Sequence, residues 1–263
     1  SRPYGAAVER GAKDLGTQLE ERLLASSKLQ EFLQSRKGGL VVRPATTSPA
    51  AAPIAPREPA LSASPSPSFS SPERPHDLAV IVGIETYSDI ASKASYAERD
   101  ADAFKTHVRA LGVPERNIVL IKGSKAGRAS LVKNIEQWLP RLAKADSRVY
   151  FYFSGHGAPD VKTGQAYLVP WDGDPNFLES TAYPVAQLYK KLGELPARQV
   201  FVAMDSCFSG AGGRSVIAKG ARPLVSVMQS EVPRGLTVIS ASGGDQISNS
   251  YQEKRHGLFT YFF

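Results

Sequence analysis

The residues best suited to chemistry are Cys207, the only cysteine in the chain, and His156, one of four histidines. Each stands where an apolar run gives way to loop. Val200–Gly210 reads VFVAMDSCFSG, a run of small and apolar residues that ends in Asp205-Ser206-Cys207. Upstream, Val149-Tyr150-Phe151-Tyr152-Phe153 ends in Ser154-Gly155-His156-Gly157. A thiolate is the nucleophilic form of cysteine, and an imidazole within reach takes or stabilises the thiol proton. Two strand ends, one bearing each group, are what a cysteine-nucleophile hydrolase needs. Gly155, Gly157 and Gly210 let backbone come close to a substrate. The backbone N–H groups of Gly157 and Cys207 are the candidates to face the oxyanion of a tetrahedral intermediate. On spacing alone, a core cysteine and a turn histidine remain the plain alternative. His76, His107 and His256 fall in a linker, on a helix and in a late loop. With one cysteine and no second histidine near His156, no metal site and no internal disulfide is expected.

For the two ends to meet, the runs must be neighbours in one sheet. Leu78–Ile84 is apolar without alternation, the mark of a strand covered on both faces. Ala97, Ala101, Phe104, Val108 and Leu111 form a stripe that predicts a helix over Ala97–Leu111, and Asn117–Lys122 reads as a second strand. Arg128–Leu142 predicts a helix with Leu131, Ile135, Trp138, Leu139 and Leu142 inward. Val149–Ser154 is the third strand, followed by a loop and a short hairpin through Ala166–Pro170. A helix near Pro184–Leu192, strands over Gln199–Met204 and Leu236–Ala241, and a last helix opening at Gly257 complete the pattern. Strands alternating with helices argue for α/β, a largely parallel sheet with helices on both faces. In such sheets the reactive site forms at the carboxyl ends of the strands, where both His156 and Cys207 fall.

Bulk properties narrow the rest. At 263 residues the chain can bury one good core plus an appendage. Its formal charge of +7 comes from scattered Lys and Arg without a basic run, so the charge speaks for solubility and against nucleic acid. The longest apolar run is too short to span a bilayer, and no signal peptide is visible. Residues 1–42 carry a helical rhythm that cannot make its own core and read as the remnant of a preceding domain. Arg43–Pro75 holds nine prolines among 33 residues, mixed with Ala and Ser, so 43–76 is expected to be a mobile linker. The folded domain is expected over 77–263, with its last helix cut at the apolar run Phe259–Phe263.

The same residues carry a family resemblance. Tyr152-Phe153-Ser154-Gly155-His156-Gly157 and Asp205-Ser206-Cys207-Phe208-Ser209-Gly210 resemble the two signature blocks of the caspase-like cysteine peptidases, most nearly the bacterial metacaspase-like (orthocaspase) members. Leu78–Tyr87, Ala97–Ala101, Val238–Gln246 and Gly257–Thr260 resemble further blocks, in the family's order and at its spacing. The resemblance implies a caspase-like α/β/α sandwich. It implies His156 as general base and acid, Cys207 as nucleophile, and peptide hydrolysis through a thioester. In the metacaspase branch it further implies a peptide or protein substrate with Arg or Lys before the cleaved bond. The walls of that pocket match Asp100 and Asp205, with Asp245 as a third. Carboxylates there would reward a basic side chain with charge-assisted hydrogen bonds. No cofactor is required, and calcium is the one metal the family suggests, with Asp172 and Asp174 as candidates. Arg214, Lys219 and Arg222 lie in the 210–235 loop, where such an enzyme could cut itself; plain solvated basic residues are the alternative. The family's histidine-type residue after the nucleophile is Phe208 here. The N-terminal segment is similar to bacterial envelope lipoprotein domains, which leaves a cytoplasmic and a periplasmic setting both open.

Two other classes compete. A catalytically silent caspase-like domain would bind peptides or proteins as a scaffold, which an intact His156 and Cys207 argue against. A nucleotide-binding α/β module would need a glycine-rich phosphate loop after the first strand, and Gly83-Ile84-Glu85-Thr86-Tyr87 is not one.

Overall fold

The computed structural model of the protein describes residues 67–160, 162–208, 231–241 and 250–263. Strand β1 (Leu78–Gly83) is buried at every position. Leu78, Val80 and Val82 enter one apolar cluster, and Ala79 and Ile81 enter another on the opposite face. A strand covered on both sides has no solvent face to alternate toward. Helix α1 (Ala97–Ala110) follows and buries Ala101, Phe104 and Val108 against the second cluster. Strand β2 (Ile118–Lys122) comes next. Helix α2 (Arg128–Lys133) then runs through a π-helical turn (Asn134–Trp138) into α3 (Leu139–Leu142).

Leu131, Ile135 and Leu139 of this helical stretch face the first cluster, as their spacing predicts. Leu142 does not. It is the last helical residue before the chain turns extended at Ala143, and it is 42% exposed. The π turn coincides with a side-chain bond from Asn134 Nδ2 to the carbonyl of Ser130, 2.7 Å long. A side chain that engages the carbonyl ladder is a known local source of helix distortion.

The chain continues with β3 (Arg148–Ser154), β4 (Gly157–Pro159), β5 (Ala166–Leu168), α4 (Leu178–Thr181), β6 (Tyr183–Pro184) and α5 (Val185–Gly193). Then come β7 (Gln199–Asp205), β8 (Leu236–Ser240), β9 (Ser250–Tyr251), β10 (His256–Gly257) and α6 (Leu258–Phe262). The central sheet has the order β2-β1-β3-β7-β8, and all of its pairs are parallel. α2, α3 and α5 pack on one face, α1 and Phe259 of α6 on the other. The result is the three-layer α/β/α sandwich with a parallel centre.

One local difference bears on the site. The strand over Ala166–Leu168 finds its partner immediately after His156, at Gly157–Pro159, where a loop is expected from sequence. β6 completes a small antiparallel sheet beside the main one. The backbone N–H of Val169 donates to the carbonyl of His156 at 3.0 Å, so this small sheet grips the residue that carries the imidazole.

The last part of the proline-rich stretch is anchored to the domain. Ser71 N–H donates to the Ala110 carbonyl, and Arg74 N–H donates to that of Gly112. Gly112 has φ +99°, and a Cβ there would stand 2.3 Å from the Pro72 carbonyl oxygen, so only glycine fits. Among the described residues no helix is long and apolar enough to cross a membrane.

Candidate active site

β3 and β7 lie side by side, with Ser154 opposite Asp205 in register. Their association continues past the strand ends. Gly155 N–H donates to the Asp205 carbonyl at 3.4 Å, and Ser206 Oγ donates to the Gly155 carbonyl at 2.7 Å. His156 and Cys207 each sit two residues beyond the Ser154–Asp205 pair, so the sheet delivers them at the same height. The two loops then touch. A Cβ on Gly157 would stand 2.7 Å from the Cys207 carbonyl oxygen and from Phe208 Cδ1, which makes glycine obligatory there. His156 and Cys207 are both fully buried.

The imidazole is fixed from the loop that follows β1. His156 Nε2 lies 2.9 Å from the Ser92 carbonyl oxygen and 3.3 Å from Ser92 Oγ. A carbonyl only accepts, so Nε2 carries a proton and Nδ1 is the basic nitrogen. Tyr87, from the same loop, accepts the His156 backbone N–H on its hydroxyl at 2.6 Å. Its ring also stacks on the imidazole, with centroids 4.8 Å apart. That hydroxyl donates in turn to the Ile84 carbonyl at 3.3 Å. The ends of β1, β3 and β7 thus converge on one place, as the carboxyl-end rule for open α/β sheets requires.

The two candidate pocket carboxylates come to the same edge. Asp100, in the first turn of α1, is fully buried. It accepts from His256 Nδ1 at 2.7 Å, from Gly257 N–H at 3.0 and 3.1 Å, and from Ser154 Oγ at 3.3 Å. Asp205, also fully buried, accepts from Thr260 Oγ1 at 2.6 Å and from Thr260 N–H at 3.2 Å. Thr260 Oγ1 is 2.6 Å from Tyr152 OH as well. The segment from β10 into α6 therefore fastens to both carboxylates. Asp245 lies outside the described residues, as do Gly210, Arg214, Lys219 and Arg222.

The calcium candidates are engaged elsewhere. Asp172 Oδ1 accepts the Arg128 N–H at 2.8 Å at the start of α2, and Asp174 Oδ1 accepts from Asn176 within its own turn. Calcium needs six or more converging oxygens. Among the described residues no group of three or more His, Cys, Asp or Glu side chains is arranged to hold a metal ion.

Sequence reasoning did not assign Ser92, Tyr87, His256 or Thr260 a place in the site. The strand-end rule was the available signal for the first two, since the β1 loop opens at the same end as the dyad. Thr260 closes the block Gly257–Thr260 that carries part of the resemblance, whereas nothing local marks His256.

A family model and one solved structure agree with this architecture. A family model described as a caspase domain matches residues 76–263. Among solved structures the chain is similar to protein GSU0716 from Geobacter sulfurreducens, at 19% identity and a TM-score of 0.54, with 71% of this chain and 79% of that chain covered. It is also similar to caspase-1 from Spodoptera frugiperda, at 14% identity and a TM-score of 0.45, with 76% of this chain and 71% of that chain covered. No curated protein matches the chain.

Proposed function

The chain belongs to the caspase-domain family, a cysteine-peptidase fold, and from that premise we propose that it is an endopeptidase working through a His156–Cys207 dyad. The observation that carries this reading is the contact between the loops bearing the two residues, where Gly157 leaves no room for a side chain beside Cys207. Cys207 Sγ, its proton taken by His156, attacks the carbonyl carbon of the scissile bond. The oxyanion is met by the backbone N–H groups of Gly157 and Cys207. His156 then returns its proton to the departing amine, leaving a thioester. Water, deprotonated by His156, attacks the thioester carbonyl carbon, releases the acid product and restores the thiol.

The preference we infer is for Arg or Lys before the cleaved bond, the pattern of the metacaspase-like branch. What supports it is the presence of Asp100 and Asp205 at the same sheet end as the dyad. A basic side chain entering there exchanges the donors now supplied by His256, Gly257 and Thr260 for its own charged ones. Asp245 is the proposed third wall. Cleavage within 210–235, after Arg214, Lys219 or Arg222, is the corresponding self-processing reaction, and calcium is its candidate activator. A second reading, a silent scaffold, draws on a specific observation: the dyad and both carboxylates are fully buried.

The test uses the protein and its Cys207→Ala variant on fluorogenic peptides ending in Arg, Lys or Asp, with and without calcium. The expected result is cleavage after Arg or Lys that depends on Cys207. Cleavage after Asp instead would overturn the pocket while keeping the dyad. Silence on every peptide would favour the scaffold.

A further inference from the structure

Among the described residues the central sheet ends on one side at β2, which pairs with β1. An edge strand presents backbone donors and acceptors that another chain can adopt. Beside it, between β2 and the α2–α3 stretch, lies a groove of about 790 Å³. Val119 and Trp138 give it an apolar lining, and both are half-buried. Lys125, Lys133 and Arg141 stand exposed around it, and no carboxylate lines it.

Those three cations have no salt-bridge partner among the described residues. The one acidic residue of the helical stretch, Glu136, is turned away from the groove. Its Oε1 accepts from Tyr183 OH at 2.9 Å and from Gln187 Nε2 at 2.6 Å. Lys122, at the end of β2, is neutralised by Asp102 outside the groove. The groove thus keeps its positive charge while its surroundings pair theirs. The π-helical turn lies in the wall of this groove, and such turns are found frequently at functional sites.

The charge decides the occupant. A second copy binding edge to edge would set Lys125, Lys133 and Arg141 against their own counterparts, which is repulsive. A nucleic acid would satisfy the charge but leave the strand edge and the apolar lining unmatched. We propose that this groove docks an extended acidic segment of a partner protein. The segment lies along β2 as an added strand, with apolar side chains over Val119 and Trp138 and carboxylates at Lys125, Lys133 and Arg141.

The experiment titrates the full chain, carrying Trp171→Phe so that Trp138 is the only tryptophan, with a short acetylated peptide in which glutamate and valine take turns at every second position with threonine between, so that both lie on one strand face. Saturable change in tryptophan fluorescence is expected, weakened by salt and reduced about tenfold or more by the double variant Lys133→Glu, Arg141→Glu. Two versions of the peptide, N-methylated on alternate residues in either phase, test the added strand, and one of them is expected not to bind. Circular dichroism checks that the double variant is folded, and Cys207→Ala is expected to bind the peptide normally. The proposal is overturned by equal binding of a lysine-valine peptide, or by full binding of both methylated versions. Tighter binding of a single-stranded oligonucleotide, or no binding at all, overturns it too.

Discussion

His156 and His256 are both buried, and they are held in opposite ways. His256 lies between two charged groups, with Asp100 on Nδ1 at 2.7 Å and Arg99 Nε on Nε2 at 3.3 Å. A guanidinium only donates, so Nε2 accepts and Nδ1 donates to the carboxylate. Both nitrogens are thereby committed. His156 faces a neutral partner instead, the Ser92 carbonyl on Nε2. A carbonyl accepts that N–H whether the ring is neutral or charged, so the ring can gain and lose a proton on Nδ1 without losing its anchor. The two surroundings teach what a general base at His156 would need: a fixed partner indifferent to the proton it moves.

The largest effect that would sharpen this contrast is on turnover. His156→Ala is expected to lower hydrolysis of an Arg peptide by about 10³-fold. Retained activity in this variant would end the comparison. His256→Ala should act on stability, lowering the unfolding free energy in urea by about 1–3 kcal/mol, because it removes one of the donors to a buried carboxylate. An unchanged midpoint would mean that Asp100 finds its donors elsewhere.

Smaller effects probe the braces. Tyr87→Phe keeps the stacked ring but removes the hydroxyl that accepts the His156 N–H, and should cost about 1–3 kcal/mol of stability. Peptide hydrolysis should fall with it by about tenfold, mostly in kcat, since the ring it aims does the proton transfer. A loss confined to KM would argue against that role. Thr260→Val removes the hydroxyl shared by Asp205 and Tyr152, for a loss of about 1 kcal/mol. If a basic side chain reaches Asp205, KM for Arg peptides should fall as its competitor disappears. An unaltered KM would place the substrate elsewhere.

What was legible in the sequence follows from the same physics. β1, β3 and β7 declared themselves because strands buried on both faces read as unbroken apolar runs. Their ends then pointed to His156 and Cys207. Ser92 gave no signal beyond its place in the loop after β1, because it works through its backbone carbonyl, which every residue has. The bond from His256 to Asp100 closes a separation of 156 residues, and no local pattern encodes such a closure. β9 and β10 are two residues each, too short to show a period. Leu142 was misread because the apolar stripe continues past the point where the helix gives way to extended chain.

The attachment of residues 256–260 to Asp100 and Asp205 also has a meaning in time. A chain emerging from the ribosome exposes Asp100, His156 and Cys207 well before the stretch that supplies donors to the two buried carboxylates. Until that stretch arrives, Asp100 and Asp205 lack most of the donors that compensate their burial in the folded domain. The order of synthesis therefore leaves both carboxylates short of these donors until residues 256–260 have been made.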